Sequence, residues 1–486
     1  MDSNLTQDDL LLKADQKFAQ LKCMIQLQSQ QHVRIDLIER SLFEVLLNIG
    51  LLLLKALVAG AGTGDEGEQV SPGGRTLRRS ENPHQRLYRS IFGVLSVVRW
   101  VYRRSKNKRI EYVPTDARLG LPRGECSYVL EEWTERLCVH QTFDDSVSTL
   151  ADILGHAPSV EAAETMNLRM AEHADAFRLQ QSAPAPAEGE IIVATADGTS
   201  VPMHCTDRTQ DPDARAGSRQ GATRRAYIGA VYSILPFVRQ PQEVLDELLR
   251  GQAAKRRPRP QGKRVWAEMA APCDGSLSSG SELVFVEMAI DLQARDPDRQ
   301  QTLVCIMDGE QKLWDLQHDW LGRAVEILDF FHVLSRVRDV SKVAYSNSEH
   351  HREAWVSDQL HDLLTGKVDT VIRRWQRLLR DARQTKRWSS EQQQTVDSAI
   401  GYFSNNRHRM QYDEYLRQGY PIGSGVAEGT CRNLVKDRMD RTGMHWRLPG
   451  ARAMLKTRAL HLNDEWNDFV EFRIQREQEI LYALAA

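Results

Sequence analysis

Cysteine is scarce and unpatterned. Seven residues are scattered over 486 positions with no C-x-x-C pair, which argues against a disulfide framework and a paired thiolate zinc site. A reducing, cytoplasmic setting is the expectation. Net charge is nearly absent as well: 64 Lys and Arg against 66 Asp and Glu leave −2, so total charge names no partner. No repeat of fixed period is evident, and no secretory signal is expected, because the first residues are acidic and polar. The most apolar run, "VLLNIGLLLLKALVAGAG" from Val45 to Gly62, contains Asn48 and Lys55. Its unbroken stretches fall short of the ~18 residues of a membrane span, so the expectation is a buried or self-associating helix and no membrane.

What is present is local charge. From Arg75 to Arg109 bases are frequent and Glu81 is the only acid; Arg99, Arg103 and Arg104 lie there. A second cluster, "KRRPRPQGKR", opens with Lys255, Arg256 and Arg257, and a third follows Glu428. Basic patches on a near-neutral chain suit a nucleic-acid binder, although ordinary solvated surface has the same look.

The order of patterns divides the chain. Residues 1–60 read as long helix that could pair with another copy or pack on its own body, and 61–86 as a flexible basic linker rich in glycine. Residues 87–182 read as a hairpin, "RSIFGVLSVVRWVYRR", followed by helices. There Gly155 ends one helix and Ser159 caps the next, the outline of a helix-turn-helix. A proline-rich joint, "SAPAPAEGE", precedes 183–334, where "IIVATADG", "RAYIGAVYSILPF", "LVFVEMAID", "TLVCIMDG" and "AVEILDFFHV" read as five strands of a mixed α/β sheet. Residues 335–417 read as helical, with Trp355, Trp375 and Trp388. Residues 418–486 read as final helices completing the sheet domain.

Three carboxylates carry the chemistry. Asp197 and Asp308 each end an apolar strand and precede glycine, which lets a ligand approach; an Asp-Gly turn is the bland alternative. In "YPIGSGVAEGTCRNLVKDRMDRTGMHW" the glycines permit a tight turn, and Glu428 falls in the first turn of a basic helix with Arg432 and Lys436 on the same face. That helix crossing the sheet edge would bring Glu428 beside the two aspartates. Three hard oxygen ligands suit two Mg²⁺ or Mn²⁺ ions and in-line phosphoryl displacement, with Arg432, Lys436 and Arg438 on phosphates and His445 and Trp446 lining DNA. A helix N-terminus acid stabilised by the dipole explains Glu428 alone equally well.

At these residues the chain resembles the DDE transposases of the ISKra-type insertion-sequence family. The matching stretches are "FGVLSVVRWVY", "DARLGLPRGECSYVLEEW", "ERLCVHQTFDDSVSTLADILG", "ADGTSVPM", "DGEQKLW", "EILDFFHVLSRV" and the long stretch from Tyr420 to Trp446. The resemblance implies an α/β RNase H-like mixed sheet with a helical insertion, preceded by a helical N-terminal DNA-binding region. It implies Asp197, Asp308 and Glu428 as the metal triad, and cutting and joining of DNA at element ends. It also implies a homo-oligomer in the synaptic complex and a bacterial, nucleoid-associated location. Asp329 and His332 resemble the (C/D)-x-x-H signature of Mutator-like transposases, which lies near the active site; a core histidine is the plain alternative. A nuclease or resolvase without strand transfer, and a silent DNA-binding repressor, remain the other readings.

Overall fold

A computed structural model describes residues 5–29, 32–204, 213, 223–251, 256–273, 276–345, 348–441 and 443–483, with backbone alone at 271–273, 276–277, 426–428 and 431. The chain divides into two units, Met1–Phe177 with Glu465–Ala486, and Arg178–Asp464.

The first unit opens with two helices, α1 (Gln7–Gln28) and α2 (Ile35–Gly60), where one long helix is the sequence expectation. Thr6 and Asp9 form a capping box that starts α1. His32, at φ 49°, turns the chain between them. A Cβ on Gly60 would lie 2.5 Å from the Gln7 side chain, so the end of α2 returns to the start of α1. Among the described residues α2 is the one helix long and apolar enough to cross a membrane by length and composition. Leu46, Leu53 and Leu57 are exposed on it.

Short strands β1 (Gln69–Val70), β2 (Leu77–Arg79) and β5 (Tyr102–Arg103) form one small sheet, so the expected linker is partly ordered. The expected hairpin is β3 (His84–Ser90) with β4 (Gly93–Arg99), paired from His84↔Arg99 to Ser90↔Gly93. Helices α3 (Pro114–Leu119), α4 (Tyr128–Cys138), α5 (Phe143–Leu154), α6 (Val160–Ala171) and α7 (Ala174–Arg178) follow. Gly155, at φ 73°, ends α5, and the Ser159 side chain accepts from the Ala162 amide to start α6. The C-terminal helix Trp466–Tyr482 joins this unit rather than the sheet domain. Its buried Arg473 pairs with the fully buried Glu131 of α4.

The second unit is built on a five-stranded sheet: β6 (Ile191–Pro202), β7 (Thr223–Ile234), β8 (Gln261–Met269), β11 (Leu303–Met307) and β12 (Val325–Leu328), in the order β12-β11-β6-β7-β8. Strand β7 alone runs against the others. A small hairpin of β9 (Ala271–Cys273) and β10 (Ser276–Ser278) follows β8. Side chains alternate between faces. Ile191, Val193, Val304 and Ile306 enter one core; Ile192, Ala194, Cys305 and Met307 enter the other. The second core is closed by α9 (Gly280–Arg295), which lies on β7 because Gly229 leaves room: a Cβ there would sit 2.5 Å from Val284 and Met288. Here "LVFVEMAID" departs from the strand expectation, and the true third strand, β8, emerges from the second basic cluster.

The other core is covered by α8 (Pro241–Arg250) and α11 (Phe330–Ala344) and extends into the helical layer of α12 (Glu349–Leu364), α13 (Val368–Gln384), α14 (Ser390–Asn406) and α15 (Tyr412–Gln418). Trp375 and Trp388 are buried in it, and Trp355 packs on Trp375 with ring centroids 6.1 Å apart. These tryptophans are packing residues. Helix α10 (Gln311–Leu316) follows β11 directly. The last segment runs through α16 (Gly425–Thr430), a π-helical turn at Cys431–Lys436, α17 (Asp437–Met439) and α18 (Leu448–Leu462), the last lying on β8.

Candidate active site

Strands β6 and β11 are parallel neighbours with Ala196 opposite Met307. The next residues, Asp197 and Asp308, therefore leave this ladder side by side. Asp308 ends β11 as expected. Asp197 does not end β6: the strand continues to Pro202, and Asp197 faces Ile228 of β7. The two acids share an edge because the β6–β11 ladder stops, not because both strands do.

Asp308 is held firmly. Its Oδ1 accepts from the Tyr402 hydroxyl at 2.7 Å and from the Gly309 amide at 2.5 Å, and lies 3.6 Å from His332 Nδ1. Burial first, and then the Asp308 charge, push the Tyr402 phenol well above its ordinary range, so it stays protonated and donates. Every side-chain contact of Asp308 among the described residues is on Oδ1. Gly309 has a geometric reason: a Cβ there would lie 2.4 Å from the Tyr402 ring and 2.7 Å from Asn406. The glycine clears a path for α14 as much as for a ligand. Next to it, Glu310 takes both Arg225 nitrogens, at 3.0 and 2.7 Å, and the Tyr227 hydroxyl at 3.0 Å. Burial works against the Arg225 charge, but Glu310 outweighs it and the guanidinium is raised. Gly198 leaves room for that guanidinium, 2.7 Å from where its Cβ would be.

Asp329 is 2% exposed. It caps α11 through the Phe331 amide at 3.0 Å and accepts from the Ser424 amide at 3.1 Å and the Ser424 hydroxyl. Burial pushes its carboxyl up, against those hydrogen bonds. His332 Nε2 lies 3.7 Å from Asp329, so His332 spans Asp329 and Asp308. Asp329 thus ties the glycine turn before α16 to the end of β12. Helix α16 lies against β6 and β7, and the π-helical turn lies against β6. Glu428 belongs to α16, beginning at Gly425, but its side chain lies outside the described residues. Among the described residues no group of three or more His, Cys, Asp or Glu side chains is arranged to hold a metal.

The basic residues divide. Arg432 and Lys436 are exposed on the π-helical turn, with Arg432 3.8 Å from Asp437; His445 is exposed. Arg438 and Trp446 correct the expectation. Arg438 is fully buried, its guanidinium 4.9 Å from the Trp446 ring centroid, and Trp446 donates from Nε1 to the Met439 carbonyl at 3.1 Å. Both are core residues that fasten this segment, whose Trp446 amide donates to Pro202 at the end of β6 at 3.0 Å. Lys255 lies outside the described residues; Arg256 is exposed; Arg257 pairs with Glu247 at 2.6 Å.

In the first unit Arg99 is another correction. Together with Arg86 it binds the buried Asp116, and burial, then Arg86, draws its guanidinium down to about 10. Arg103 donates to the Lys106 carbonyl at 2.9 Å, and Arg104 is exposed beside Glu111 at 3.1 Å. The second helix of the helix-turn-helix outline, α6, exposes Glu161, Glu164 and Thr165, while its Arg169 bonds Glu131. That surface repels phosphate. Tyr402, Glu310 and Arg225 escape sequence reasoning: Tyr402 stands 94 positions from Asp308, and no spacing rule links an insertion helix to a strand end.

No protein-family model matches this chain, and no curated protein matches it either.

Proposed function

We propose that this chain is a DNA transposase with an RNase H-like core that binds element ends and carries out metal-dependent strand cleavage and transfer by a DDE mechanism. The observation that carries the reading is the pairing of Ala196 with Met307, which sets Asp197 beside Asp308. The mixed sheet supports it: three parallel neighbours, a second strand alone reversed, and acids at the ladder joining the first and fourth strands in chain order. The packing of α16 on β6 and β7, with the π-helical turn on β6, supports Glu428 as third partner.

The donor chemistry fits hard cations, since among the described residues both hydrogen bonds to the Asp308 carboxylate fall on one oxygen. Asp197, Asp308 and Glu428 would hold two Mg²⁺ or Mn²⁺, which when bound supply water activation and stabilisation of the leaving oxygen. The chain's own part is orientation. Tyr402 fixes the Asp308 carboxylate by a donated hydrogen bond. Asp329, through Ser424, fixes the turn from which α16 starts. Arg432 and Lys436 offer exposed charge to the phosphate backbone.

The test is incubation of protein, Mg²⁺ and labelled element ends with a supercoiled target. Joined products are expected. Cut ends without joining favour a nuclease or resolvase, and binding alone favours a repressor. Glu428→Gln should abolish cutting and leave end binding intact; unchanged cutting by that variant removes Glu428 from the mechanism.

A further inference from the structure

Beside the candidate active site lies a cavity of ≈240 Å³. It is smaller than the ~300–1,000 Å³ that takes a drug-sized ligand, and suits one ring system. Its lining includes Phe331, two positions after Asp329, and Gly423 and Gly425, which flank the Ser424 that bonds Asp329. Aromatic rings of Tyr232, Phe237 and Phe331 line it. A buried charge is set into this apolar wall: Arg239, 9% exposed, whose Nε has no hydrogen-bond partner among the described residues. Its guanidinium stands 5.7 Å from the Phe237 ring centroid. Arg257 lines the same cavity from the second basic cluster.

A buried guanidinium nitrogen without an acceptor costs stability unless something supplies one. Apolar and aromatic walls accept a flat ring, and a guanidinium at the rim accepts the anion attached to it. That pairing of ring and anion is a nucleotide. We infer that this cavity takes one unstacked nucleotide of the DNA strand being processed, its base among the aromatic residues and its phosphate on Arg239. The inference rests on the proposed function for the identity of the strand. Extruding a base costs unstacking and unpairing energy, which such a cavity would offset.

The test uses single-stranded oligonucleotides carrying one 2-aminopurine, and 2-aminopurine deoxynucleoside monophosphate as the free form, titrated with the full-length protein. Stacking on aromatic rings quenches the probe. Saturable quenching is expected, tighter for the oligonucleotide than for the mononucleotide. Arg239→Gln should weaken it by about tenfold or more, the loss of a charged contact. Leu235→Trp places bulk at a lining position that is 51% exposed and should block quenching without disturbing the fold. Absence of saturable quenching, quenching indifferent to both variants, or a response from the mononucleotide alone overturns the inference. The two claims separate cleanly: Mg²⁺-dependent cutting without quenching sinks the cavity and spares the catalytic reading, whereas quenching without cutting does the reverse.

Discussion

At the scale of residues, the account turns on how side chains hold Asp308. Tyr402→Phe removes one hydrogen bond to a carboxylate and leaves the ring in place. A charged hydrogen bond contributes roughly 1.5–3 kcal/mol, so cutting should slow by about tenfold or more while the circular dichroism spectrum stays unchanged. A variant as fast as the parent would remove Tyr402 from the site. Asp329 gives a pH test. Burial raises its carboxyl above the unfolded value. Its protonated form therefore adds stability below the ordinary aspartate value of ~3.9, and this contribution is lost as pH rises through the raised folded value. Asp329→Asn cannot ionise. Urea midpoints should show the variant gaining on the parent as pH rises above the ordinary aspartate value of ~3.9; a constant gap would contradict the assignment.

At the scale of elements, Gly309→Ala tests the packing of α14 on the end of β11. Its Cβ would meet the Tyr402 ring at 2.4 Å, so the helix must shift. Overpacking of this kind costs typically ~1–3 kcal/mol, read as a lower urea midpoint, and it should reduce cutting because Tyr402 moves with the helix. Much of this layout is legible in the sequence. β6, β7, β11 and β12 stand out because apolar runs end at turn residues, and Gly155 and Ser159 mark a real helix boundary. Segment 283–291 misleads because α9 is apolar on more than one face, which erases helical periodicity. The signal that could have corrected it is Ser279, whose side chain accepts from the Glu282 amide. β8 is hidden because its first residues, Gln261, Gly262 and Lys263, are exposed and carry no apolar side chain. Charge counts likewise cannot tell Arg438 from Arg432: one is enclosed by Trp446 and Met444, the other faces solvent, and only the fold decides which.

At the scale of the whole molecule, the proposed binding of DNA by a near-neutral chain requires a few placed cations. Each phosphate contact should contribute ~0.9 to the slope of log affinity against log salt on duplex DNA. Arg432→Ala with Lys436→Ala should therefore flatten that slope by about 2, whereas Arg99→Ala, which leaves the buried Asp116 with Arg86 alone, should lower stability rather than the slope. The central claim is the convergence of three acids far apart in the chain. Titration of the DNA-bound protein with Mn²⁺, followed by electron paramagnetic resonance, tests it most directly. The account predicts two saturable Mn²⁺ sites per chain, with occupancy lost alike in Asp197→Asn, Asp308→Asn and Glu428→Gln. Undiminished Mn²⁺ binding in all three variants would contradict it.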